Sequence, residues 1–235
     1  MRKLTALLLA LALTLGLSAA FADTQITVTG SGEVLIPADV AVISLGVNVR
    51  SAEAPSAQAE ANEVIAKIRE ALTAAGIDEE DISTGYINLY AAYDYSSSVE
   101  RITGYNASST LAVKVTDMTR VGEVIDLAFG AGANMLDGVS FSAKDDTAAR
   151  AEALKAAVAD AKAKADVLAE AAGLGKLEID SIAESGVYAY DSGTNNFSAK
   201  GMITEQAEDA ATVIRAAKIC VSASVTITYE AKQKD

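Results

Sequence analysis

The chain contains no histidine. That removes the Ser-His-Asp and Cys-His catalytic arrangements, and with them every metal site built on imidazole. Tryptophan is also absent and aromatic residues make up only 5%, so the core must be filled mainly by Val, Ile, Leu and Ala. Cysteine occurs once, at Cys220, so no disulfide can form within the chain. Cations are scarce: 19 Lys and Arg stand against 32 Asp and Glu, for a net charge of −13. Nucleic acid and anionic lipid surfaces are poor partners for such a chain. The acidic residues are spread along the sequence and form no tail, which fits a role in solubility. Beyond residue 22 no apolar run is long enough to span a bilayer, so no transmembrane segment is expected in the mature chain.

What is present begins with an export signal over residues 1–22. Arg2 and Lys3 supply the positive start, residues 4–17 the apolar stretch, and Ala20-Phe21-Ala22 a small-x-small cleavage site before Asp23. No cysteine lies near that point to carry a lipid. The full chain is 51% hydrophobic, well outside the disordered range.

The longest regular stretch runs over about 146–172, is dominated by alanine, and ends at Gly173. Alanine is the strongest helix former because its methyl loses no rotamer freedom on ordering. Asp145 or Asp146 is placed to cap the helix, Gly173 to take the left-handed closing position. At 1.5 Å per residue the helix should be roughly 40 Å long. Leu154, Val158, Ala161, Ala165 and Leu168 recur at steps of three and four and predict its apolar stripe.

Residues 26–34 and 40–49 read as strands, the second with Ala41, Ile43, Leu45, Val47 and Val49 on one face. Gly30-Ser31-Gly32 is no phosphate loop, because it leads into another strand and opens no helix; a bulge or strand bend is expected. Pro55 and Gly76 bracket a first helix with Val64, Ile65, Ile68 and Leu72 inward. The acidic turn Asp78-Glu79-Glu80-Asp81 lacks calcium-loop spacing and reads as solvated, so no metal site and no cofactor are expected. Strands over 82–95 and 102–115 form a hairpin, with Tyr105, Ala107, Ser109, Leu111, Val113 and Val115 sharing a face of the second. A short helix carries Val121, Ile125 and Ala128; strands over 132–141, 177–190 and 214–229 follow, with a polar loop at 191–210.

Two features hold the candidate functional residues. Tyr86, Tyr90, Tyr93 and Tyr95 crowd one strand, the first two on one face and the last two on the other. They could receive a sugar or other small ligand, although cross-strand aromatic packing is the commoner use of such a cluster. Cys220 is a free thiol two residues from Lys218, read as a passive strand residue against a redox or intermolecular role. No catalytic residues are assigned. A hydrolase using a carboxylate pair is the third-ranked reading, with no motif to say which pair.

Several separate motifs resemble the SIMPL-domain, or YggE-like, family. They are Ile26-Thr-Val-Thr-Gly-Ser-Gly-Glu-Val34 with Pro37-Ala-Asp39, Gly76-Ile77 with Asp81-Ile82-Ser-Thr84, and Ile102-Thr-Gly-Tyr-Asn-Ala107. Gly132-Ala-Asn134, the helix over 153–174 and Val221-Ser-Ala-Ser-Val225 continue the likeness through most of the mature chain. The turn before the last strand departs from it, with Ala216-Ala217 where family members often carry Pro-Gly. The resemblance implies an exported protein of the periplasm or cell surface, in a family that includes periplasmic immunogenic proteins. It also implies a link to stress tolerance and assembly into homo-oligomers, and it implies no agreed enzyme activity.

The expected architecture is α+β: antiparallel sheets in two layers with one long Ala-rich helix and shorter helices. Two lobes are expected, 23–116 and 117–235. The expected function is that of a non-catalytic, self-associating envelope protein, not an enzyme; the alternative is a small-ligand or carbohydrate-binding module using the tyrosine hairpin.

Overall fold

The computed structural model describes residues 24–94, 100–192 and 212–233. The expected signal at 1–22, Tyr95 and most of the 191–210 loop lie outside the described residues. In chain order the elements are β1 (Thr24–Pro37), β2 (Val40–Ser51), α1 (Ala54–Ala74), β3 (Ile82–Asp94), β4 (Arg101–Val115), α2 (Val121–Gly130), β5 (Met135–Ser142), α3 (Thr147–Ala171), β6 (Leu174–Asp191) and β7 (Lys218–Gln233). Short 3-10 turns at Glu79–Asp81 and Met118–Arg120 complete them. The strands form a three-stranded sheet ordered β1-β7-β6 and a four-stranded antiparallel sheet ordered β3-β4-β2-β5. The expected α+β class is what the chain adopts.

Contacts divide the chain into two units, each assembled from separated stretches. One comprises the described residues 24–32, 153–186 and 223–233; the other comprises 33–152, 187–192 and 212–222. This partition does not follow the sequence-order halves 23–116 and 117–235.

The larger unit holds the four-stranded sheet with α1 and α2. Ala41, Ile43 and Leu45 of β2 are fully buried and face Val115, Val113 and Leu111 of β4 in register. Strict alternation on both strands therefore builds one apolar face. Ala57, Ala61, Ile68 and Leu72 of α1 are fully buried, while Val64 and Ile65 are only half-buried. Ile68 and Leu72 are thus inward as expected, and the stripe continues toward the N-terminus through small alanines that pack with Val47 and Ala107. Pro55 occupies the first turn of α1, and Gly76 follows it at φ +88. Val121, Val124, Ile125 and Ala128 bury the inner face of α2.

In the smaller unit a long helix meets a strand at backbone distance. A Cβ added to Gly30 would lie 2.0 Å from the Ala157 carbonyl oxygen, and one on Gly32 would lie 2.2 Å from that of Ala153. The Gly-x-Gly is therefore a close-approach device, where a bulge or bend was expected. The same contact explains the buried line of α3. Ala153, Ala157, Ala161 and Ala165 are fully buried and Ala169 nearly so, whereas Val158 and Leu168 are exposed and Leu154 is half-buried. Only a methyl fits where the strand has no side chain, so the inward stripe steps by four through alanines alone. Gly173 closes the helix at φ +69, as expected.

Polar contacts finish this seam. The Ser31 backbone N–H donates to Asp160 Oδ2 at 2.8 Å. Lys164 Nζ donates to the Thr29 carbonyl at 3.0 Å and to Asp160 Oδ2 at 2.7 Å. The helix thus supplies hydrogen-bond partners to the strand's backbone, as an added strand would. Hydrogen bonding from the Lys164 ammonium, and next from the Ser31 N–H, holds the Asp160 carboxyl below the usual carboxylate range.

Two measurements check this account. Gly30→Ala should destabilise the protein by about 1–3 kcal/mol or more in denaturant unfolding. Gly130→Ala, where nothing lies within 4 Å of the new Cβ, should be near neutral. A depressed carboxyl contributes stability above its unfolded pKa, about 4, and loses it as pH falls through the folded value. Wild type should therefore lose part of its thermal stability below about pH 4 through this group. Asp160→Asn should flatten that acid limb; an unchanged limb would remove Asp160 from the account.

Candidate functional site

The hairpin of β3 and β4 carries the tyrosines, and its register fixes where each one points. Leu89 lies opposite Ala107 and Ile87 opposite Ser109, which places both on the sheet face shared with Val113 and Leu111. Asn88 lies opposite Ser108 and Tyr90 opposite Asn106, on the other face. Alternation puts Tyr86 with Tyr90 and sets Tyr93 on the face of Ile87 and Leu89. Tyr86, Tyr90 and Tyr93 are all partly exposed, and Tyr105 is half-buried across from Ala91. The described tyrosines are therefore split between the two faces of the hairpin.

Two irregularities bound the hairpin. Between Thr84 and Ile87 the register shifts by one residue, so Gly85 and Tyr86 together oppose Thr110. Thr110 is fully buried, and its Oγ1 accepts the Tyr86 backbone N–H at 3.0 Å. A Cβ at Gly85 would stand 2.6 Å from that same oxygen. The bulge is thus filled by a hydroxyl that replaces the lost ladder bond. At the other end Thr103 is the extra residue, between pairings of Ala92 with Gly104 and Tyr93 with Ile102. Its Oγ1 accepts from Arg50 Nη2 at 2.7 Å and donates to the Ala92 carbonyl at 3.2 Å.

The strand between these points is unusual in composition and exposure. Among the described residues β3 pairs only with β4, so it forms an edge of the four-stranded sheet. From Ile82 to Tyr93 it carries no charged residue and no proline. Charged residues and proline are two of the devices that protect natural edge strands. Ile87 is 60% exposed, Tyr90 47%, Tyr86 43% and Leu89 41%, so both faces present apolar surface. α1 does not reach over Ile87. Instead an open cavity of about 640 Å³ lies between them, lined by Ile65, Arg69, Thr73, Thr84, Ile87 and Ser109 among others. Just before β3, Lys114 pairs with Asp81 at 2.9 Å.

Cys220 is 4% exposed and is the hydrogen-bond partner of Tyr190. That hydrogen bond first, and the nearby Glu33 carboxylate after it, raise the Tyr190 phenol above its ordinary range. The acidic turn is a 3-10 turn with Asp81 held by Lys114. Among the described residues no group of three or more Cys, Asp or Glu is arranged to hold a metal ion. No helix among them is long and apolar enough to cross a membrane. Sequence reasoning singled out the tyrosines and passed over Ile87, Asn88, Leu89 and Thr110. An absence of charge over residues 82–93 was the available signal.

These features define an α+β protein of two antiparallel sheets with an exposed, uncharged strand edge. Residues 26–229 match SIMPL, described as a protein of unknown function (DUF541), and the chain belongs to that family. The chain is 32% identical over 142 residues to the 26 kDa periplasmic immunogenic protein of Brucella melitensis, covering 58% of this chain and 57% of that protein. It is 28% identical over 137 residues to the uncharacterized protein YggE of Escherichia coli, covering 58% of this chain and 56% of that protein. The chain thus spans somewhat over half the length of these curated relatives.

The hydrogen bond that closes the bulge can be tested directly. Thr110→Val keeps the shape but removes the acceptor of the Tyr86 N–H, and should cost about 1–3 kcal/mol in unfolding free energy. The Tyr86 amide should also exchange with deuterium faster in the variant. Unaltered exchange would mean the hydroxyl does not close the bulge.

Proposed function

We propose that the chain is an exported, non-catalytic protein of the cell envelope whose work is done by self-association. One observation carries this reading: β3 is an edge strand, uncharged from Ile82 to Tyr93 and exposed on both faces. A soluble chain of net charge −13 repels its own copies over most of its surface. The stretch that lacks charge is where a second copy approaches at least cost. Edges of this kind are templates for strand addition. Export is supported by the signal at 1–22 and by the printed name of the Brucella relative, which is periplasmic.

Light scattering behind size exclusion, on residues 23–235 over a range of concentration, tests the reading. The expected result is a mass that rises to a stable multiple of the protomer. Ile87→Lys should shift the midpoint of that rise on the order of tenfold or more upward, because it puts a charge from each copy into an apolar contact. A strict monomer at every concentration overturns the proposal.

A further inference from the structure

The sequence of β3 is close to self-complementary when read against itself in the antiparallel sense. We propose that β3 pairs with β3 of a second copy about a two-fold axis through Asn88, joining the two four-stranded sheets edge to edge. This rests on the self-association reading above and specifies its partner and register.

A two-fold axis perpendicular to a sheet keeps each side chain on its own face, so it must pass through a residue position. Centred on Asn88, it sets Tyr86 opposite Tyr90 of the second copy, and Tyr90 opposite that copy's Tyr86. On the other face Ile87 meets Leu89, and Leu89 meets Ile87. Aromatic pairs and branched aliphatic pairs directly opposite each other are the favourable units of sheet pairing. Asn88 meets its own copy, and its amide carries both donor and acceptor, so the pair is matched. Other centres do worse. On Leu89 the axis sets Tyr86 against Ala92 and Ile87 against Ala91; on Ile87 it sets Tyr90 against Thr84 and Leu89 against Gly85. Only the Asn88 centre places large side chains opposite large ones on both faces at once.

Two further observations single out this edge. Large apolar residues are exposed on both sides of the axis: Ile87 and Leu89 on one face, Tyr86 and Tyr90 on the other. The cavity beside Ile87, about 640 Å³ and left open by α1, lies on the face that Ile87 and Leu89 of the second copy would cover. By contrast β6, also an edge, carries Glu178, Asp180 and Glu184 on one face together with Lys176. Two copies meeting there would crowd carboxylates together.

Cysteine cross-linking tests the register, and light scattering on the same samples tests assembly separately. In a Cys220→Ser background, Asn88→Cys places two thiols at the axis. Opposite residues of an antiparallel pair have Cα atoms about 4.5–5.5 Å apart, inside the range a disulfide needs. Under a mild oxidant Asn88→Cys should form covalent dimer about tenfold faster than Tyr90→Cys alone, whose thiols lie a turn of the ladder apart. Mixing Tyr86→Cys with Tyr90→Cys should restore rapid linking between the two kinds of chain. This mixed experiment carries the test if Asn88→Cys proves poorly folded by thermal unfolding. Assembly without either link overturns the register and leaves self-association standing. Rapid linking of Tyr90→Cys by itself assigns a different register and also overturns the proposal. A monomer throughout removes both readings.

Discussion

The smaller unit depends on one close approach, that of the β1 backbone at Gly30 and Gly32 to the backbone of α3 at Ala153, Ala157 and Ala161. There is no side chain on the strand and only a methyl on the helix, so dispersion contacts are made backbone to backbone at high density. Everything else about α3 follows. Its inward positions must be alanine, its Val and Leu residues are displaced to the flanks, and its Asp160 and Lys164 come within reach of β1 main-chain groups. A helix seated at ordinary distance would need large residues at the seam and would leave Ser31 and Thr29 without these partners.

Seen as a set, the strand edges are treated in different ways. β1 has helix side chains bonded to its main chain; β6 carries Lys176, Glu178, Asp180 and Glu184 along its length; β5 is only eight residues long and includes Asp137 and Gly138. These are the usual devices that keep sheets from joining. β3 carries no charge and no proline between Ile82 and Tyr93, only the bulge at Gly85 and Tyr86, and shows Ile87, Leu89, Tyr86 and Tyr90 to solvent. In a chain with 22% charged residues, twelve consecutive positions without charge on an exposed strand set β3 apart from the other edges. That contrast within one molecule supports β3 as the place of contact.

Periodicity made the sheets legible in advance. The alternation of Ala41, Ile43, Leu45 and Val47, and of Ala107, Leu111 and Val113, needs only a strand with one buried face, and each residue lies where alternation put it. The start and end of the long helix were legible for the same kind of reason, because Gly173 and the aspartates before Thr147 act through the local backbone. The buried stripe of α3 was not. A rule that gives the inside to the largest apolar residues misassigns a helix whose partner is a pair of glycines, and only the three-dimensional contact reveals that exception. The tyrosines were visible as residues but not as a surface, since the bulge at Gly85 and Tyr86 and the edge position of β3 are properties of pairing. Thr110 illustrates the limit most clearly: nothing in its neighbours in sequence announces that its hydroxyl will stand in for a missing ladder bond.

The two bulges have a consequence for fidelity. Gly85 and Tyr86 double up on β3 and Thr103 is the extra residue on β4, and the added twist at each point pins the register of the ladder between them. Slipping β3 along β4 would carry both irregularities away from the hydroxyls that fill them, those of Thr110 and Thr103. The hairpin thus has one stretch of even pairing, from Ile87 to Ala92, with a twist fixed at each end.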